Sequence, residues 1–325
     1  MTKIIRTNYG ARHENAVVFA CDDGHLCFAL FAAERIRRVE PDEDFDIVIA
    51  MPDISNVPES FLDMGIRFVQ VDFSALPEVP MVKAWISLAT YYRWALPSAF
   101  LCEYRTIFYL DTDTYLRRRG ISELFMSLKK PIFLSAVIDF QHLVPLTGKP
   151  KKKVEAKFRD LGGANHEYYN AGVLIFQPEE FIRKDGLNRF CAAARENVQY
   201  LPVHQDQDQG AMNLAFADEI QPLNPIYNWR SKPWLNPLMV GKFDPVVLHF
   251  AGRGKPWNLQ DDPFISKFSG EYREFLTKNF PDFAPEVALD TAQWRKDNPR
   301  HGIRLLDDMR IFLYRRRFKK KLAHA

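Results

Sequence analysis

Short apolar runs separated by longer amphipathic stretches organise most of the chain. Runs at residues 16–20, 45–51, 66–71, 107–110, 131–138, 169–176 and 246–250 are short and nearly continuous, which predicts strands covered on both faces. Residues 26–38 and 81–96 instead carry helical periodicity. In the second of these, Trp85, Leu88, Ala89, Tyr92 and Leu96 share one face, Arg93 lies beside it, and Pro97 ends the helix. A further helix opens within residues 204–213, where Asp206 or Asp208 is placed to cap it. Strands alternating with helices of this length predict an α/β fold with a largely parallel sheet. The pattern lapses between residues 143 and 166, where a Pro/Lys cluster at 149–153 and the pair Gly162-Gly163 predict an irregular solvated or substrate-specific insertion. Beyond Asp261 the chain turns to amphipathic helices.

Several apolar runs end in acids. Ile107 to Leu110 leads straight into Asp111 and Asp113, and the run from Ala16 leads into Asp22 and Asp23. If the strand continues, its period of two puts Asp111 and Asp113 on one side. Ligands of open α/β sheets collect beyond the carboxyl ends of strands. Two carboxylates held close together there repel unless a cation or a proton lies between them. This predicts a divalent-metal site that holds a phosphorylated ligand.

Composition narrows the class without changing it. A chain of 325 residues, 47% of them hydrophobic, buries a sizeable core as one large or two modest domains. With 26 Phe, 12 Tyr and 6 Trp, extensive disorder is not expected. The four cysteines, Cys21, Cys27, Cys102 and Cys191, show no metal spacing and read as reduced thiols of a cytoplasmic protein. Neither an apolar leader at the start nor a run of about 18 apolar residues is visible, so no inserted segment is expected. Seven basic residues lie between Arg310 and Lys321, and removing them from the net +3 leaves −4. The basicity belongs to the tail, and nucleic-acid binding by the body is not expected.

Taken in order, the blocks are an apolar strand with Asp22, Asp111-Thr112-Asp113, Asn170-Ala171-Gly172, Asp208-Gln209-Gly210, and His249 followed by Gly252 and Lys255-Pro256-Trp257. This ordered set closely resembles family 8 of the retaining glycosyltransferases, which includes glycogenin and bacterial lipopolysaccharide glucosyl- and galactosyltransferases. The resemblance implies the GT-A fold: a single Rossmann-like, mostly parallel sheet flanked by helices. It would place the catalytic domain at residues 14–260 and a helical C-terminal region with a basic amphipathic tail at 261–325.

The resemblance further implies transfer of glucose or galactose from a UDP-sugar to a glycan, as in lipopolysaccharide or other surface-glycan synthesis. Asp111, Asp113 and His249 would be the metal ligands, and an imidazole beside two carboxylates suits Mn²⁺ better than Mg²⁺. Asp22 would take the N3–H of uracil. Arg93 and Lys255 would contact the donor, and Ala20, His25, Thr112 and Gly252 would complete its site. Asn170, Gln209 and Asp208 would lie at the sugar face, and Asp139 would bind hydroxyls. The resemblance places Gln209 beneath the anomeric carbon, and on a helix the neighbouring carboxylate at residue 208 is turned about 100° away from it. An amide is a poor nucleophile, which favours front-face substitution over a covalent intermediate. Departures from the family pattern at Gly24 and His25 leave ribose contact and base stacking less defined.

Leu305, Met309, Phe312 and Leu313 share a helical face among the basic residues of the tail, which predicts peripheral binding to the anionic inner face of the cytoplasmic membrane. Two rival readings remain. A haloacid dehalogenase-type phosphatase also places Asp-x-Asp after an apolar strand, but near the start of its domain, and leaves the Asp-Gln-Gly and Lys-Pro-Trp blocks without a task. A catalytically inactive sugar-nucleotide or glycan scaffold predicts a damaged metal triad, whereas all three residues are present.

Overall fold

The computed structural model describes residues 2–81, 87–128, 130–143, 148–230, 236–252, 254–258, 264–285 and 316. Eleven strands are formed among them: β1 Ile4–Thr7, β2 Asn15–Ala20, β3 Asp46–Met51, β4 Ile66–Val71, β5 Thr106–Leu110, β6 Thr114–Leu116, β7 Leu134–Ile138, β8 Tyr169–Phe176, β9 Gln221–Pro222, β10 Trp229–Arg230 and β11 Val247–His249. Eight of them make one sheet in the order β1-β4-β3-β2-β5-β8-β7-β9, and the other three make a small sheet in the order β10-β11-β6. Helices flank the large sheet, giving the mixed α/β architecture that the apolar pattern predicts.

The strand order creates the site. From β2 the chain steps outward through the parallel strands β3 and β4, then returns to place β5 parallel to β2 on its other side. The carboxyl ends of β2 and β5 therefore flank a switch point, where the crossovers leave in opposite directions and a crevice opens. Strand β8 runs antiparallel to β5, with Leu110 opposite Val173. That reversal carries Asn170 and Gly172 to the end of the sheet where Asp111 lies. Antiparallel pairing of β11 with β6 sets His249 opposite Thr114.

The core strands β2, β3, β5, β7 and β8 are buried almost throughout, as near-continuous apolar runs require. Helix Asp23–Val39 turns Phe31 toward Tyr272 and Phe275 of helix Ser266–Asn279, and Phe28 toward Trp257 and Phe283. Phe31 stacks on Tyr272 at 3.8 Å, Phe28 stacks on Trp257 at 3.9 Å, and Tyr115 donates to Glu271 at 2.7 Å. Among the described residues no helix is long and apolar enough to cross a membrane.

Two local expectations are revised. The helix expected over residues 81–96 is, where described, a 3₁₀ helix at Leu88–Trp94 followed by a short α-helix at Leu96–Ala99. Pro97 begins that second turn instead of ending the first, because the opening of a helix has no use for its missing N–H. Trp85 lies outside the described residues. The expected irregular insertion contains helix Gly148–Leu161. Val154, Lys157, Phe158 and Leu161 form its inward stripe at helical spacing, packed with Tyr168. A lysine in the stripe disguised the period, and Gly163, at φ 63°, turns the chain just beyond the helix.

Candidate active site

Strand β5 ends at Leu110, so Asp111 and Asp113 do not converge by strand alternation. They converge through a turn, in which the Thr114 amide and hydroxyl both donate to the Asp111 carbonyl, at 3.0 and 2.7 Å. The two flanking strands pin this turn. Asp111 N–H donates to Gly172 O at 2.8 Å, and Phe250 N–H donates to Asp113 O at 3.0 Å. One ligand atom each from Asp111, Asp113 and His249 then falls within 4.8 Å of the others.

The chemistry of this cluster calls for a cation. His249 Nδ1 bonds to the side-chain oxygen of Asn228 at 2.8 Å, so that nitrogen carries the proton and Nε2 presents a lone pair. Nε2 lies 3.2 Å from Asp113 Oδ1 and 3.7 Å from Asp111 Oδ2. Asp113 Oδ1 is buried and makes no hydrogen bond to the described residues. Three electron-rich atoms thus face one another, which is the arrangement a divalent ion resolves. Gly172 leaves the room for it: a Cβ there would lie 2.2 Å from His249 Cε1 and 2.7 Å from Asp111 Oδ2.

Cations already present balance the acids. Arg93 is buried, with Nη2 2.8 Å from Asp111 and Nε 3.3 Å from Asp208. Burial opposes its charge, yet Asp111, Tyr109 and Asp208 outweigh burial and hold its pKa above the ordinary value. Lys255 pairs with Asp113 Oδ2 and donates to Phe250 O at 3.0 Å. Burial alone would raise the Asp113 pKa, but the Lys255 ammonium drives it well below the usual carboxylate range. Gly252, at φ 95°, bends the loop that brings Lys255 back onto the site.

On the far side of Gly172, Asn170 Nδ2 donates to Gln209 Oε1 at 2.6 Å, and Gln209 Nε2 reaches toward Asp139 at 3.4 Å. Asp139 is buried and paired with Arg230 at 3.0 Å. Burial would raise its pKa, but Arg230 and Lys157 bring it below the usual range. Asp208 is set apart from Gln209: its carboxylate accepts from Thr90 at 2.8 Å and from Trp94 at 3.4 Å, beneath Arg93. It does not cap its helix, whose N-cap is Gln207. Asp206 bonds with Lys157 and Tyr168. At the end of β2, where Ala20 is buried, Asp22 bonds with His25 at 2.9 Å and accepts from Ser87. The His25 bond is the main cause of an Asp22 pKa lowered to about 2. Thr112 sits in the metal turn.

Four contributors escaped the sequence reading: Asn228, Tyr109, Ser87 and Arg230. Tyr109 donates to Asp111 at 2.7 Å, and its position two residues earlier on the strand was a usable signal. Ser87 accepts from Ala89 N–H at the start of the 3₁₀ helix and so links Asp22 to the element that carries Arg93. Asn228 and Arg230 sit on and beside a two-residue strand that carries no local signature.

The sequence profile described as glycosyl transferase family 8 matches residues 16–261. General stress protein A of Bacillus subtilis is 26% identical over 216 residues, covering 62% of this chain and 70% of that protein. Galactinol synthase 1 of Solanum lycopersicum is 28% identical over 190 residues, and the match spans 58% of this chain but only 55% of the synthase. Among solved structures, the galactosyltransferase LgtC in complex with donor and acceptor sugar analogs aligns with a TM-score of 0.62 at 22% identity, covering 86% of this chain and 99% of that one. An active-site mutant of LgtC aligns with a TM-score of 0.63 at 23% identity, covering 80% and 95%. These likenesses establish the GT-A fold.

Replacing Gly172 by Ala should push His249 and Asp111 apart and weaken divalent-ion binding by the cluster at least about 10-fold, as displaced ligand shells do. Isothermal titration of folded protein with Mn²⁺ and UDP checks this. Unchanged affinity would contradict the assigned role of Gly172.

Proposed function

The chain belongs to glycosyltransferase family 8, and from that premise we propose that it moves a hexose from a UDP-sugar to a hydroxyl of a glycan or lipid-linked saccharide, with retention at the anomeric carbon. The observation that carries this reading is the convergence of Asp111, Asp113 and His249 beside the Asn170–Gln209 pair. The hexose proposed is glucose or galactose. Lipopolysaccharide or another surface glycan is the acceptor class proposed.

Asp111, Asp113 and His249 would hold a divalent ion, Mn²⁺ in preference to Mg²⁺ because an imidazole is in the set. When bound, such an ion supplies a Lewis acid for the departing diphosphate. Lys255 exchanges Asp113 for a phosphate oxygen, and Arg93 holds the Asp111 carboxylate in place. Asp22 has one oxygen bonded to His25 and the other to Ser87, and each oxygen keeps a lone pair with which to accept the uracil N3–H. Ala20, His25, Thr112 and Gly252 form the rest of the donor's surroundings.

Retention needs either a nucleophile beneath the anomeric carbon or entry of the acceptor on the face being vacated. The candidate nucleophiles are all engaged. Asp208 is tied to Arg93, Thr90 and Trp94, Asp139 to Arg230, and the Gln209 carbonyl oxygen to Asn170 and the Ala171 N–H. The favoured course is therefore front-face substitution. The bond from the anomeric carbon to the phosphate oxygen breaks, the bond to the acceptor oxygen forms on the same face, and the acceptor proton passes to the departing phosphate oxygen. Gln209 and Asn170 stabilise the positive charge that develops on the sugar through fixed dipoles.

Donor hydrolysis across a panel of UDP-hexoses tests this reading. It should stop in excess chelator, and Asp113→Asn should lower turnover at least about 100-fold. Full activity in either condition would remove the metal site from the account.

For the tail, of which only Arg316 is described and is exposed in a helix, we propose peripheral binding to anionic membrane. Leu305, Met309, Phe312 and Leu313 lie outside the described residues. A chain cut after Gly302 should lose sedimentation with vesicles rich in anionic lipid while keeping donor hydrolysis. Undiminished sedimentation would refute the membrane role.

A further inference from the structure

A single chain of side-chain hydrogen bonds joins the sugar face to the metal triad, and its direction is fixed. It starts at Asp139, which as a carboxylate only accepts, so Gln209 turns its amide nitrogen toward it. The Gln209 oxygen is then left for Asn170 Nδ2, and the backbone N–H of Ala171, 3.3 Å away, donates to that same oxygen. Asn170 thereby has its oxygen directed the other way. There the backbone N–H of Gly172 donates to it at 3.0 Å, and Asn228 Nδ2 donates to it at 2.8 Å. Asn228, 4% exposed, has only its oxygen left for His249 Nδ1, 2.8 Å away. Side-chain amides can be read in two orientations. Here the N–H groups of Ala171 and Gly172, which only donate, settle both.

We propose that Asn228 is the positioning residue that couples the two halves of the site. By accepting from Nδ1 it leaves His249 Nε2 as the lone pair facing Asp111 and Asp113. By donating to Asn170 Oδ1 it joins the Gly172 N–H in holding Asn170, and through Asn170 the Gln209 amide, in place. A histidine that ligates a metal depends on the group holding its other nitrogen, and loss of that partner typically weakens the metal site. In this chain that partner is an amide, not a carboxylate or a backbone carbonyl. Unlike either of those, an amide both accepts from an imidazole and donates onward. The inference rests on the metal-dependent transfer proposed above, but its spectroscopic test needs neither donor nor metal.

Two variants of the full chain separate the two roles. Asn228→Asp keeps an acceptor for His249 and loses the donor to Asn170, whereas Asn228→Ala loses both. Long-range ¹H–¹⁵N correlation spectra of the metal-free protein, with the ring assigned by His249→Gln, should show the Nδ1–H tautomer in wild type and in Asn228→Asp. Asn228→Ala should lose that single tautomer. Titration with Mn²⁺ and UDP should show Asn228→Asp within about 3-fold of wild type and Asn228→Ala weakened about 10- to 100-fold. Turnover should fall at least about 10-fold in both, through the misplaced Gln209 amide. An Nε2–H tautomer in wild type, or unchanged Mn²⁺ affinity in Asn228→Ala, would overturn the proposal. Equal losses of affinity and turnover in both variants, tracking a lowered melting temperature, would reduce Asn228 to a packing residue and overturn it as well. If transfer proves metal-independent while the tautomer results hold, the functional reading fails and the relay stands.

Discussion

Mutual repulsion among acids confined at one end of a sheet is the constraint on which the site depends. Asp111, Asp113 and Asp208 are gathered where water is scarce, and such charges persist only with partners. Arg93 answers Asp111 and Asp208, and Lys255 answers Asp113. Removing one member of a buried pair of this kind typically costs about 3–5 kcal/mol, because the other charge is stranded. What the protein's own cations leave unanswered is the face where Asp113 Oδ1, Asp111 Oδ2 and His249 Nε2 meet. The balance is thus incomplete in one direction, toward a divalent ion and an anionic donor.

Topology supplies the convergence. The return of β5 beside β2 opens the crevice, the reversed β8 delivers Asn170 and Gly172, and β11 carries His249 in beside Thr114. Each element offers one or two groups, and none of them is a site alone. Gly172 shows how tight the assembly is, since even a methyl group there would displace two of the three candidate ligands. The Asn228 relay extends this dependence, tying the orientation of the imidazole to that of the amide at the sugar face.

Much of this was legible in the sequence because burial on both faces leaves a plain apolar signature. Residues 66–71 and 169–176 appear as strands with the bounds expected, and the acids after β2 and β5 stand where an apolar run stops. The antiparallel sense of β8 was not legible, since a fully buried strand reads alike in both directions. Strands of two or three residues, β6, β9 and β10, have too few positions to show a period. Helix Gly148–Leu161 was hidden because Lys157 occupies its inward stripe, where Gln141 and Asp206 satisfy its ammonium. Asn228 was beyond reach for a different reason: its role is defined by partners 21 and 58 residues away.

Among the described residues the candidate nucleophiles are all engaged, and that is the chemical core of the account. Asp208 is held by Arg93 and Asp139 by Arg230, and the Gln209 oxygen already accepts two hydrogen bonds. Such a site favours departure and attack on one face over a covalent detour. Proton NMR of the newly formed glycosidic linkage, made from an α-linked UDP-hexose, tests this most directly. The account predicts the small anomeric coupling of an α-linked product. The large coupling of a β-linkage would contradict it.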